Sequence, residues 1–451
     1  MSNTVVFNPK LIEKYDRPGS MYAFYPPATQ FSDQIKASHY QSWSRDSNEE
    51  PIPRPLSLYV HIPYFDTVCY CGACKKAITQ NRECTLKYIE DLYLEIGLQG
   101  KLFDRDRIVQ QLHWSGGTTA LLEDHQIERL AGCIDQHFQL RNDDKGEYSI
   151  EIDPRTSSST TIRLLRDMGF NSISLGVHDF DPNVQKAINR IQSIEDTHAV
   201  IKAARKSDYK SIDVDLIYGL PLQTIESFAS TLDTLLEFNP DRITLYNYSQ
   251  LPSRFSLQQP VNLSDLPSAT EKLEIRQHFI DRLDKAGYVY IGMDQFVRPM
   301  DELSVAQRRG TLHRNFQGYS AISDCDSVAL GISAISNIGN HYSQNTTDLR
   351  LYHDELTHNR LPIDRGFQVS QEDVMRNEII EQLICHFYLD IPAFENRWKI
   401  NFMTYFVNEQ KKLKVMEKDN LLELTADSIT VLEVGRLLIK NICMIFDRYN
   451  R

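Results

Sequence analysis

Short apolar or β-branched runs recur along the middle of this chain with helical patterns between them, and that alternation limits what it can fold into. The runs fall at residues 57–62, 111–114, 148–152, 172–177, 211–218, 242–248 and 288–293. Apolar residues at helical spacing mark 86–98, 124–138, 193–206 and 225–236 in the intervals. A strand–helix–strand rhythm of this kind builds βαβ units, and βαβ units build a parallel sheet. Six or seven units in about 240 residues suit a full or partial (β/α) barrel. A doubly wound open sheet is the alternative that periodicity leaves open. In a barrel, sites are built at the C-terminal ends of the strands. Polar residues and glycines collect there: His61 and Pro63, Ser115 to Thr118, Glu151 and Asp153, Gly176 and His178, then Asp213, Asp215 and Gly219.

Outside this core the pattern changes. Residues 1–55 are rich in Tyr, Pro, Ser and Asn and read as an extended arm. The barrel takes 56–300, a polar connecting segment 301–368, and a smaller, mainly helical, winged-helix-like domain with a short strand pair near 422–431 takes 369–451. The chain of 451 residues carries a net charge of −12, which argues against a nucleic-acid surface, since phosphate recognition needs a positive footprint. No apolar run is long enough for a membrane span, and residues 1–10 lack the basic and apolar regions of a secretory leader. A cytoplasmic protein, monomeric, is the expectation.

Five constellations can carry chemistry. Cys69, Cys71 and Cys74 crowd a loop after the first strand, where three thiolates can hold an iron–sulfur cluster or zinc, or can be non-ligand thiols. The run Trp114-Ser-Gly-Gly-Thr118 lets backbone N–H groups approach an anion, or is simply a tight turn. Glu151 and Asp153, two apart on a strand, face one side and can bind an amine or a ribose diol, or be solvated. Asp215 lies in an apolar run and needs a partner or a ligand, with Arg190 as the candidate partner. His313 and Arg314 beside Phe316 and Tyr319 can clamp a carboxylate on a flat ligand, or form a solvated loop.

Taken together and in order, these pieces resemble the oxygen-independent coproporphyrinogen III oxidases, a radical S-adenosylmethionine (SAM) family. The resemblance runs through Leu58-Tyr-Val-His-Ile-Pro63, Ile150-Glu-Ile-Asp-Pro-Arg155, Leu175-Gly-Val-His-Asp-Phe180 and Asp215-Leu-Ile-Tyr-Gly-Leu-Pro221. It continues through Met293-Asp-Gln-Phe296, Leu312-His-Arg-Asn-Phe-Gln-Gly-Tyr319, Gly331-Ile-Ser-Ala-Ile335 and the stretch from Gly435 to Met444. It implies a partial (β/α)6 barrel of the radical-SAM type with a smaller helical C-terminal domain. It also implies oxidative decarboxylation of coproporphyrinogen III to protoporphyrinogen IX in haem biosynthesis, with SAM, a [4Fe–4S] cluster and an external electron donor. A non-catalytic relative that carries haem, a porphyrin or SAM is the other role compatible with it.

By the same resemblance, Tyr59, Gly116 and Glu151 match SAM-contacting positions. Gly117, Thr118, Arg190, Asp215 and Ile335 match positions around a second SAM. His178 stands where the family has glutamine, Ser249 where it has alanine, and Cys71 where an aromatic residue is usual. The cluster motif departs from the family's Cys-x-x-x-Cys-x-x-Cys: its three positions are Phe65, Cys69 and Gly72, and Cys74 matches an additional, non-ligand cysteine. A rearranged metal set of Cys69, Cys71 and Cys74 is the replacement these residues allow. The cofactor loop has Ser115 and Thr119, and the N-terminal arm has Met21 in place of an arginine.

Overall fold

The computed structural model describes residues 4–17, 19–20, 22–65, 67–71, 82–116, 122–253 and 255–450, the side chain of Arg82 excepted. The chain forms two compact units. The larger comprises Phe31–His278 and Asp324–Gln368; the smaller comprises Met1–Gln30, Phe279–Ser323 and Val369–Arg451.

In chain order the strands are β1 (Leu56–Ile62), β2 (Ile108–Gly116), the two-residue β3 (Gln139–Leu140), β4 (Glu147–Ile152), β5 (Ser172–His178), β6 (Ser211–Tyr218) and β7 (Arg242–Asn247). The smaller unit then contributes β8 (Val289–Gly292), β9 (Gln295–Val297), β10 (His313–Asn315) and β11 (Gly318–Ser320). The larger unit resumes with β12 (Asp326–Leu330), β13 (Ile335–Ile338), β14 (His341–Asn345) and β15 (Ile363–Gln368).

Strand order decides between the two α/β architectures. A doubly wound sheet reverses its order at a switch point. Here β1, β2, β4, β5, β6 and β7 are hydrogen-bonded in sequence and in parallel, with no reversal among them. That is the winding of a partial barrel. On the other side of β1 lies β12, also parallel, followed by antiparallel β13, β14 and β15. Strand β1 is paired on both edges, and every one of its residues is buried.

The helices between the strands start where side-chain oxygens can accept orphan backbone N–H groups. Ser158, Ser193 and Thr224 cap Ser159–Asp167, Ile194–Lys206 and Ile225–Glu237, and Asp181 caps Pro182–Ala187. Each buries one stripe, such as Phe228, Leu232 and Leu235, and each such side chain contributes about 1.5–3 kcal/mol of apolar burial. The strands alternate with period two. Ile150 and Ile152, Ile173 and Leu175, and Val214 and Leu216 are buried in the core, so Glu151, Ser174, Gly176, Asp213 and Asp215 share the opposite face.

The run at 288–293 is no further parallel strand. It enters an antiparallel hairpin, β8 with β9, and belongs to the smaller unit. Met293 and Asp294 both take positive φ, 48° and 58°, the geometry that joins two strands through a two-residue turn. The stretch 301–319 forms a helix, Glu302–Arg309, and the hairpin β10–β11; His313 Nδ1 lies 2.9 Å from Glu381, and Arg314 stacks over Tyr319. The smaller unit is otherwise mainly helical. Gln371–His386 buries Ile379, Ile380, Leu383 and Ile384. A three-stranded sheet of β16 (Tyr388–Asp390), β17 (Leu422–Leu424) and β18 (Ser428–Val431) adds a strand to the expected pair.

Candidate functional site

A cavity of about 590 Å³ opens at the C-terminal ends of the parallel strands of the larger unit. Strand alternation delivers Glu151, Ser174, Gly176, His178, Asp215 and Ile217 to its wall, the loop after β1 delivers Phe65, Cys69 and Cys71, and the segment after β7 delivers Tyr248 and Ser249.

Carboxylates dominate one side. Glu151 accepts the backbone N–H of Gly116 at 2.9 Å. Gly116 has φ +97°, and a Cβ there would run into the carbonyl oxygen of Ile62, so only glycine suits this close approach of β2 to β1. Asp215 accepts a hydrogen bond from Ser174 at 3.3 Å. Its acid is pushed well above the usual carboxylate range, first by burial and then by the negative charges of Asp213 and Glu151. Arg190 does not serve as the ion-pair partner expected for Asp215. It pairs with Asp153 at 3.5 Å and donates to the carbonyl of Gly176 at 2.7 Å. Asp153 also takes Arg155 at 2.6 Å; despite burial, that hydrogen bond and the two guanidinium charges hold its acid below the usual range. The sequence could not make this assignment, because it depends on which strand end the helix after β5 returns to.

Beneath the cavity wall, Tyr59 is buried with its hydroxyl 2.5 Å from Ser115 Oγ and its ring stacked on His113, its register partner across β1 and β2. His113 Nε2 lies 3.9 Å from Glu151. A polar chain therefore runs from Tyr59 to the carboxylate side of the cavity. Motif reading missed Ser174, which lines the cavity, and His113, which lies behind Glu151; each sits two residues from a recognised one on the same strand face, which is the signal that could have found them.

On the opposite side, Cys69 and Cys71 are joined as a disulfide, with Cα atoms 5.4 Å apart. His178 follows a register break in the β5–β6 ladder and takes φ +66°, which brings its Nδ1 to 3.4 Å from Cys71 Sγ. Burial, then the nearby Arg190 charge, holds His178 well below the usual imidazole range, so the ring is neutral. Phe65 lines the same cavity.

The structure thus gathers Cys69, Cys71, Gly116, Glu151, His178, Arg190, Asp215 and Ser249 around one cavity. Tyr59 supports it from below. Ile335 opens β13, outside the residues that line it. The expectations at Met21, Gly72, Cys74, Gly117, Thr118 and Thr119 lie outside the described residues.

Comparison with known proteins accords with this architecture. Residues 79–235 match the Radical SAM superfamily, and residues 369–438 match the HemN C-terminal domain. The chain is 45% identical to the oxygen-independent coproporphyrinogen III oxidase of Pseudomonas aeruginosa over 449 residues, covering 100% of this chain and 97% of that protein. It is 43% identical to the Escherichia coli enzyme of the same name, covering 98% of this chain and 95% of that one. The solved structure of coproporphyrinogen III oxidase (HemN) from Escherichia coli, described as a radical SAM enzyme, superposes with a TM-score of 0.93 at 41% identity, covering 99% of this chain and 100% of that one. This chain belongs to the oxygen-independent coproporphyrinogen III oxidase family of radical SAM proteins.

Proposed function

We propose that the cavity of the larger unit binds SAM and that the chain recognises coproporphyrinogen III, or a tetrapyrrole of that type, as its second small molecule. The observation that carries the SAM reading is the state of Asp215. Burial, then the negative charges of Asp213 and Glu151, raise the cost of ionising Asp215. A sulfonium or ammonium set beside Asp215 relieves that cost directly, and SAM carries both. Two further features support it. Gly176 leaves its place on the wall without a side chain, between His178 and Arg190. The buried hydroxyl of Tyr248 lines the cavity with no hydrogen-bond partner among the described residues, as a group waiting for a polar ligand does. The residues present fit SAM.

They do not fit the family's [4Fe–4S] cluster, which supplies the electron that cleaves SAM. By the resemblance, the first ligand position is Phe65, whose ring has no donor atom, and the third is Gly72, a residue without a side chain. We therefore assign to this chain the recognition half of the family's function and derive no radical step. Turnover of coproporphyrinogen III to protoporphyrinogen IX through Cys69, Cys71 and Cys74 is the second reading, favoured by three cysteines within one short loop.

Anaerobic reconstitution with iron and sulfide separates the two. The expected result is saturable SAM binding by calorimetry, with no iron–sulfur EPR signal and no 5′-deoxyadenosine after reduction. Appearance of 5′-deoxyadenosine establishes the second reading; absence of SAM binding overturns the first. The double variant Phe65→Cys with Gly72→Cys restores the family spacing and is expected to gain both cluster and SAM cleavage.

A further inference from the structure

We propose that Cys69, Cys71 and His178 form a binding site for a single soft divalent cation of the zinc type. The two Sγ atoms and a ring nitrogen of His178 all lie within 4.8 Å of one another, and Cys71 Sγ is 3.4 Å from His178 Nδ1. In a tetrahedral site with zinc–sulfur bonds of about 2.3 Å and zinc–nitrogen bonds of about 2.0–2.1 Å, neighbouring ligand atoms stand roughly 3.5–3.8 Å apart. The Cys71–His178 contact already stands near that spacing, and the two sulfurs, bonded to each other in the disulfide, reach it once that bond is reduced and they move apart.

The scaffold around them holds them in place. The loop backbone is pinned by Tyr70 N–H to the carbonyl of Ile188 at 2.9 Å and by Asn189 to the carbonyl of Val68 at 2.8 Å. Cys71 packs with Val184, Ile188, Leu220 and Tyr248, and Cys69 lies against that cluster. An apolar surround with two sulfurs and one imidazole selects a soft or borderline ion over magnesium or calcium. Three protein ligands leave a fourth position, and all three ligands line the cavity, so that position is open to a bound molecule, as in catalytic zinc sites.

The disulfide is the competing form. A reductant of the phosphine class supplies two electrons, the S–S bond breaks, two protons give the two thiols, and metal binding then releases those protons as two Zn–S bonds form.

The test uses the full chain, reduced with a phosphine, stripped with a chelator and titrated with zinc against a chromophoric competitor. One equivalent of zinc is expected, together with protection of Cys69 and Cys71 from alkylation by mass spectrometry. Cobalt(II) in the same protein should give thiolate charge-transfer and tetrahedral ligand-field bands. H178Q and C71S should each weaken zinc by more than about tenfold, as loss of a shell residue does, while C84S should not. No zinc uptake by the reduced protein, equal affinity in all three variants, or uptake of iron with sulfide in place of zinc would each overturn the proposal. Circular dichroism of each variant identifies one that fails to fold, in which case the alkylation result on the wild-type chain decides. A SAM titration on the same samples keeps the two readings apart: zinc bound without SAM sinks the cavity assignment, SAM bound without zinc sinks this one.

Discussion

Two carboxylates at opposite ends of the parallel strands in the larger unit, Asp326 and Asp215, are treated in opposite ways. Just before β2, Arg107 is buried with Asp326 at the start of β12, their side chains 2% and 3% exposed and 2.7 Å apart. Arg107 also donates to Ser47, Asn48 and the carbonyl of Arg54, and Asp326 also accepts from Ser47 and from the N–H of Gly339. Charge is matched by charge within the protein. At the C-terminal ends Asp153 is likewise paired, with Arg155 and Arg190, but Asp215 at the cavity wall is raised by burial and by the negative charges of Asp213 and Glu151. The first arrangement holds the fold together; the second is a cost that a ligand can relieve. The same sheet therefore separates stability from function along its length, as (β/α) barrels do.

The largest effect that tests this separation belongs at the stable end. Arg107→Met leaves Asp326 buried without its cation and should cost about 3–5 kcal/mol in denaturant unfolding, with SAM affinity per folded molecule unchanged. A cost below about 1 kcal/mol, the scale of an exposed pair, would break the comparison at its strong end.

Next comes a buried acid that lies off both ends. Glu95, on helix Arg82–Gly100, accepts hydrogen bonds from Tyr352, Asn345 and the N–H of Gly331. Burial, against those bonds, pushes its acid up to about 7 from 4.5. The folded state then binds a proton that the unfolded chain gives up. The stability from this proton is complete below about pH 4.5 and is lost as pH rises toward 7, a fall on the order of 3 kcal/mol. Glu95→Gln removes that slope at the cost of hydrogen bonds to Tyr352 and Gly331. Comparing wild type and variant between pH 5 and 8 by urea unfolding isolates the slope; parallel curves would contradict it.

Much of this was legible in the sequence because strands impose period two. Placing Glu151, Gly176 and Asp215 on one face needs only their strands, and the strands announce themselves through Ile173, Leu175, Val214 and Leu216. What stayed hidden depends on returns of the chain. Arg190 had two carboxylates to choose from, and only the path after β5 selects Asp153. Cys71 and His178 are 107 residues apart and meet only because the ladder breaks at His178. The hairpin turn at Met293-Asp294 has no glycine or asparagine to mark it, so the run before it resembled one more barrel strand.

The smallest effect is the most specific to the cavity end. Asp215 is raised in the protein alone, so it holds its proton well above the ordinary carboxylate range. A cation bound beside it favours the carboxylate and pulls the acid down. SAM binding should therefore release a fraction of a proton, and affinity should rise with pH until Asp215 is ionised without ligand. Calorimetry in two buffers of different ionisation enthalpy measures that release. Asp215→Asn should abolish it and weaken SAM by about tenfold, or roughly 1.4 kcal/mol, yet leave stability at neutral pH equal or higher, because the variant removes a group that is costly to ionise there. If Asp215→Asn instead destabilised the fold as Arg107→Met does, Asp215 would be a structural acid, and the two strand ends would differ in degree only.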